Sequence, residues 1–155
     1  MPLRDALLFV ILAGSIPVIL KRPWVGVLLC AWFGYMNPHR YTWGPAFYFP
    51  FVAIAAAVTI VGFVFSTESK KLPDNIVIPI LLFFVAWVTL TTVTALNPDG
   101  ARMEWERFVK IQVLNFLAIY LLQSRERINW LIMVIAGSVG VYAFKGGIFT
   151  LATGG

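Results

Sequence analysis

Six long apolar runs, separated by short charged or proline-bearing breaks, constrain this chain more than any other feature. They cover residues 6–20, 24–36, 46–66, 76–96, 109–123 and 128–150. A helix needs about 20 apolar residues to cross the hydrocarbon core of a bilayer. The third, fourth and sixth runs reach that length. The first, second and fifth are shorter, and span only if flanking residues snorkel or the bilayer thins. The first pair also has an alternative as a shallow helical hairpin, but six spans is the preferred reading. The apolar runs are continuous rather than alternating, which argues against a β-barrel. Of 155 residues, 60% are hydrophobic and 12% charged, whereas soluble domains carry about 25% charged residues. A small soluble domain has too much surface to hide such a composition. The expectation is an all-α, polytopic transmembrane helical bundle of about six helices, forming one transmembrane domain over residues 1–155, with the lipid bilayer as its first partner.

Charge placement excludes one class of function. The net charge is +5, yet the 12 Lys and Arg residues are scattered between apolar runs. A nucleic-acid binder clusters them on one face, so no nucleic-acid partner is expected. With alternating spans, one side carries Lys21, Arg22, Lys70, Lys71, Arg125 and Arg127. The other carries Arg4, Arg40, Arg102, Arg107 and Lys110. The compact basic doublets of the first set lean towards the cytoplasmic side. Lys21-Arg22 and a second apolar run come after the first segment, so it reads as a mature helix and not as a signal peptide. Cys30 is the single cysteine, which leaves no internal disulfide or cysteine-based metal site. Trp24, Trp43, Trp105 and Trp130 fall near segment ends, as interfacial anchors do. Ala53 with Ala57, and Ala136 with Gly140, are small residues one turn apart that suit close helix packing.

Chemistry, if present, belongs in two loops and at one helix end. Asn37-Pro38-His39-Arg40-Tyr41-Thr42-Trp43 comes after the second run, and Asn97-Pro98-Asp99-Gly100-Ala101-Arg102-Met103-Glu104-Trp105 after the fourth. Asn-Pro by itself is a helix stop, because proline disfavours helical geometry in the preceding residue. Beyond each Asn-Pro pair stand an arginine and a tryptophan at the membrane surface, and the planar guanidinium suits phosphate. By parity both loops share a membrane face. Residues 100–110 read as a short amphipathic helix lying flat in the interface, with Arg102–Glu106 and Glu106–Lys110 spaced for pairing. The sharper alternative is a cradle for an anionic head group. Lys145 is the one charge embedded in the sixth run and is a functional candidate on that ground, although it lies near the end and can snorkel. Gly146-Gly147 beside it is a candidate helix break that would free backbone amides. The candidate substrate-binding residues are therefore Arg40, Arg102, Lys110 and Lys145. His39, the lone histidine, shows no partner that would make it a general base. No phosphate loop, zinc motif or serine elbow occurs, so no metal or other cofactor is expected.

Several strings carry a family resemblance. Pro2-Leu3-Arg4-Asp5, Lys21-Arg22-Pro23-Trp24, Gly34-Tyr35-Met36-Asn37-Pro38-His39-Arg40, Ala95-Leu96-Asn97-Pro98-Asp99, Arg125-Glu126-Arg127-Ile128 and Lys145-Gly146-Gly147-Ile148-Phe149 occur in this order. Together they resemble the N-terminal region of O-glycosylation ligases associated with the exosortase A system, within the O-antigen ligase and Wzy-like polymerase superfamily. The resemblance implies a multi-pass protein of the bacterial inner membrane. It implies a GT-C-type glycosyltransferase that moves a glycan from an undecaprenyl diphosphate carrier to an acceptor. It further implies a longer protein, with the main catalytic residues in a large periplasmic loop beyond this sequence, so that this portion alone is not expected to catalyse transfer. The partners implied are the lipid-linked glycan donor, an acceptor and the remainder of the enzyme. The competing expectation, from the lack of a self-contained catalytic set, is a non-enzymatic membrane subunit or small transporter.

Overall fold

The computed structural model describes residues 3–66 and 75–154, all helix and connecting loop with no strand among them. Six α-helices succeed one another: α1 (Leu3–Lys21), α2 (Pro23–Met36), α3 (Phe51–Phe65), α4 (Val77–Val93), α5 (Pro98–Leu121) and α6 (Arg125–Thr153). Two short 3-10 turns, Pro38–Tyr41 and Pro45–Phe47, lie between α2 and α3. Lys70 and Lys71, expected on the cytoplasmic side, lie outside the described residues.

Local chemistry sets most of the helix ends. Pro23 stands in the first turn of α2, where its missing N–H costs nothing and its fixed φ suits the helix. Ser124 caps α6, its hydroxyl accepting from the Arg127 N–H at 3.3 Å. Gly154 ends α6 in the left-handed region, φ 80°. The helix expected from residue 46 begins instead at Phe51, because Pro45 and Pro50 interrupt the backbone ladder and leave a 3-10 turn before it.

Two helices, α1 and α6, are long and apolar enough to cross a membrane. The apolar helices α2, α3 and α4 are shorter, at 14, 15 and 17 residues. The amphipathic stretch near 100–110 is not a separate element. It is the first half of α5, which runs on without a Gly or Pro after Gly100. Arg102 pairs with Glu106 at 3.7 Å and Arg107 with Glu104 at 2.7 Å along its surface.

The chain divides into two compact units, Met1–Glu68 with Leu121–Gly155, and Ser69–Tyr120. In the first, α2 packs on α3 and α6, and α1 packs on α3. Phe33, Phe51, Ile19, Ala55 and Thr59 are fully buried there. The Phe33 and Phe51 rings stack with centroids 5.0 Å apart, and Phe9 meets Phe51 at 5.4 Å. In the second unit the Trp105 indole N–H donates to the Thr89 hydroxyl at 3.1 Å, and Phe84 meets Phe108 edge-on at 5.6 Å.

Close packing comes from small residues other than the expected ones. Ala53 and Ala57 do not reach the buried face of α3, and neither Ala136 nor Gly140 is buried on α6. The buried face of α3 is instead Phe51, Ala55, Thr59 and Gly62. A Cβ on Gly62 would stand 2.8 Å from the Ile19 carbonyl oxygen of α1, and one on Gly26 would collide with the Thr59 hydroxyl. Small residues occur on both faces of α3, so the choice of face belongs to the partner helices. Outward the helices are apolar: α4 buries no residue at all, α6 buries only Ser138 among the described residues, and Phe65, Phe83, Phe144 and Phe149 stand exposed.

Gly62→Ala should lower stability by about 1–3 kcal/mol, because the added methyl meets backbone that cannot swing aside. Gly140→Ala, with nothing within 4 Å, should be neutral or slightly stabilising. Thermal unfolding in one lipid mixture compares the two; equal midpoints would contradict the close approach of α3 and α1.

Candidate anion-binding pocket

The loop between α2 and α3 starts from a single unusual residue. Asn37 closes α2 in the left-handed region (φ 43°, ψ 48°), its N–H donating to Phe33 O at 3.2 Å and its side-chain amide to Gly34 O at 3.0 Å. Asparagine tolerates this region better than most residues. Pro38 then begins a 3-10 turn, which Thr42 locks by donating to the His39 carbonyl through both N–H (3.2 Å) and hydroxyl (2.7 Å).

The first turn of α1 pins this loop twice. The Arg4 guanidinium donates to the Tyr41 carbonyl at 3.4 Å, and the next residue, Asp5, accepts from the Ala46 N–H at 3.4 Å. Asp5 and Ala46 are both fully buried, and the second Asp5 oxygen has no partner. A buried carboxylate near the start of a helix gains from the helix dipole, which helps to offset its desolvation.

From the other end of the chain, α6 closes the site. The Tyr142 hydroxyl donates to the Met36 carbonyl at the end of α2. The Tyr41 and Tyr142 rings lie 6.1 Å apart, and the Lys145 ammonium sits 5.0 Å above the Tyr41 ring. The result is a cavity of about 290 Å³ lined by Arg4, Met36, Tyr41, Val141, Tyr142 and Lys145. No carboxylate lines it. Neither Arg4 nor Lys145 forms an ion pair among the described residues. Two unneutralised cations beside apolar walls attract an anion more strongly than they would in open water, and the Tyr41 ring holds the ammonium in place.

The four sequence candidates are distributed unevenly. Lys145 lines this cavity. Arg40, one residue from Tyr41, lines a neighbouring one of about 340 Å³ with Trp43 and Tyr48, its guanidinium 5.0 Å above the Phe47 ring. Arg102 and Lys110 are exposed on α5 in the second unit, where Arg102 engages Glu106. The expected break at Gly146-Gly147 does not form: α6 continues through both, so their amides remain within the helix. Arg4, Tyr41 and Tyr142 were not among the candidates. Parity in the expected six-span order could have suggested Arg4, since that order puts residue 4, the Asn37 loop and the end of the sixth run on one side.

His39 backs the same loop. Its ring lies 6.0 Å from Phe51, and its Nδ1 is buried without a partner. Burial, and secondarily the charge of Arg40, push its pKa below the ordinary 6.5. The folded state thus favours neutral imidazole. That contribution to stability is present above pH 6.5 and is lost as pH falls through the depressed folded value. Acid titration of unfolding should show this loss, and His39→Gln should flatten it; an unchanged acid limb would mean that His39 titrates freely.

Fold and site together define a class: an all-helical protein, with two helices fit to cross a membrane and a basic, aromatic pocket where three chain segments converge. The chain belongs to a family described as being of unknown function (DUF5935), which matches residues 3–155. No curated protein and no solved structure matches it.

Proposed function

We propose that this chain is the multi-pass membrane portion of a GT-C-type O-glycosylation ligase of the bacterial inner membrane. In this reading the pocket formed by Arg4, Tyr41, Tyr142 and Lys145 receives the diphosphate of a polyprenyl-linked glycan donor. The observation that carries it is the meeting of two unpaired cations, from residues 4 and 145, with no acid in the lining. The ordered strings that resemble the exosortase-associated ligases point the same way. All six helices lie in lipid in this reading. The exposed apolar side chains on α4 and α6 support that, since so much apolar surface is costly in water. The shorter α2, α3 and α4 are accommodated by local thinning and snorkelling flanks. The pocket faces the periplasm, with Lys21-Arg22 and Arg125-Arg127 on the cytoplasmic side. Transfer itself needs catalytic residues that the family resemblance locates outside this sequence. The chain's own contribution is to hold the diphosphate near the membrane surface.

A polyprenyl diphosphate of short chain length, titrated into the protein in nanodiscs, tests this. A charge-assisted hydrogen bond is worth about 1.5–3 kcal/mol, so Arg4→Gln and Lys145→Gln should each weaken binding roughly tenfold or more. Arg125→Gln, at the opposite end of α6 from Lys145, should leave it unchanged. Wild-type affinity in the Arg4/Lys145 double variant, or no binding by the wild type, would sink the reading and favour a non-enzymatic membrane subunit.

A further inference from the structure

The second unit holds a groove whose chemistry is the opposite of the pocket's. It lies between α4 and the first half of α5, has a volume of about 450 Å³, and is lined by Val88, Thr91, Thr92, Ala101, Glu104, Trp105 and Phe108. Its size is in the range of small-ligand sites, about 300–1,000 Å³.

The Thr91, Thr92 and Glu104 side chains offer acceptor lone pairs to the groove. The Thr92 hydroxyl donates to Val88 O at 2.7 Å, and Thr91 donates to Val88 O or Trp87 O at 3.0 or 3.1 Å. A hydroxyl that donates to its own helix keeps lone pairs free. Glu104 takes one hydrogen bond from Arg107 at 2.7 Å, and a carboxylate has room for several more. The Trp105 indole N–H is committed to Thr89, which fixes the ring, and Phe108 is held edge-on by Phe84. The groove therefore offers free acceptors and fixed aromatic rings, with no cation in its lining.

That combination selects a ligand by elimination. A phosphate brings mainly acceptors and would face acceptors, with no cation in the lining to receive it. An acyl chain would strip water from the Glu104 carboxylate, whose charge is costly to bury. An amine would have to compete with Arg107 for Glu104. A neutral ring carrying several O–H donors on one edge and C–H groups on its face satisfies both parts of the lining. We propose that the α4–α5 groove is a binding site for a pyranose, either free or at the head of a glycolipid. The assignment rests on the groove's own lining, and stands or falls separately from the diphosphate pocket.

Saturation-transfer NMR on the full chain tests it, in phosphatidylcholine nanodiscs free of sugar-headed detergent. Methyl hexosides and methyl N-acetylhexosaminides serve as the free ligands, and a glycosyl diacylglycerol as the lipid one. We expect transfer to the glycoside ring protons. Thr92→Val and Glu104→Gln should each weaken binding about three- to tenfold with the helical circular-dichroism spectrum unchanged. Binding of methyl glycosides assigns a free-sugar site; binding of the glycolipid alone assigns a headgroup site. No transfer from either, equal transfer in both conservative variants, or displacement by ethanolamine but not by sugar would overturn the proposal. Diphosphate binding at Arg4 and Lys145 is read in a different experiment, so either site can fail alone.

Discussion

The close approach of α3 to α1 and α2 is the constraint on which the first unit depends. Gly62 lies where any side chain would strike the Ile19 carbonyl, and Gly26 lies against the Thr59 hydroxyl. With these contacts made, Phe33 and Phe51 can stack and Phe9 can reach Phe51. Only then do the first turn of α1 and the loop leaving α2 lie close enough for Arg4 and Asp5 to hold it. The energy here comes from van der Waals contact between backbones, which requires residues without bulk.

The pocket depends on that arrangement. Arg4 is anchored through a carbonyl, Lys145 through a ring, and Tyr142 through the end of α2. None of these partners is acidic, so the anchoring fixes the cations without neutralising them. The nearest acid in sequence, Asp5, is buried and turned to the Ala46 N–H. Had Asp5 paired with Arg4, the site would offer half the charge.

Much of the helical layout was legible because it is local. Pro23, Pro38 and Pro98 mark helix starts or stops through their fixed φ and missing N–H. Ser124 and Gly154 behave as caps by their own chemistry. The fusion of residues 98–121 into one helix was harder to see, since its polar first half and apolar second half suggest different surroundings. The packing faces were not legible either: Ala53 and Ala57 are as small as Ala55, and nothing in their spacing says which face meets a neighbour.

By itself the sequence determined the apolar helices, their proline and glycine boundaries, and the scatter of charge between them, because each depends on residues within a few positions of one another. The tertiary structure decided which charges meet. Lys145 and Arg4 are 141 positions apart by subtraction of their numbers, and no periodicity relates them. Arg40, beside Tyr41 in sequence, turns to Phe47 instead. A side chain's direction at a loop depends on the rings and carbonyls that packing brings within reach, and those come from distant helices.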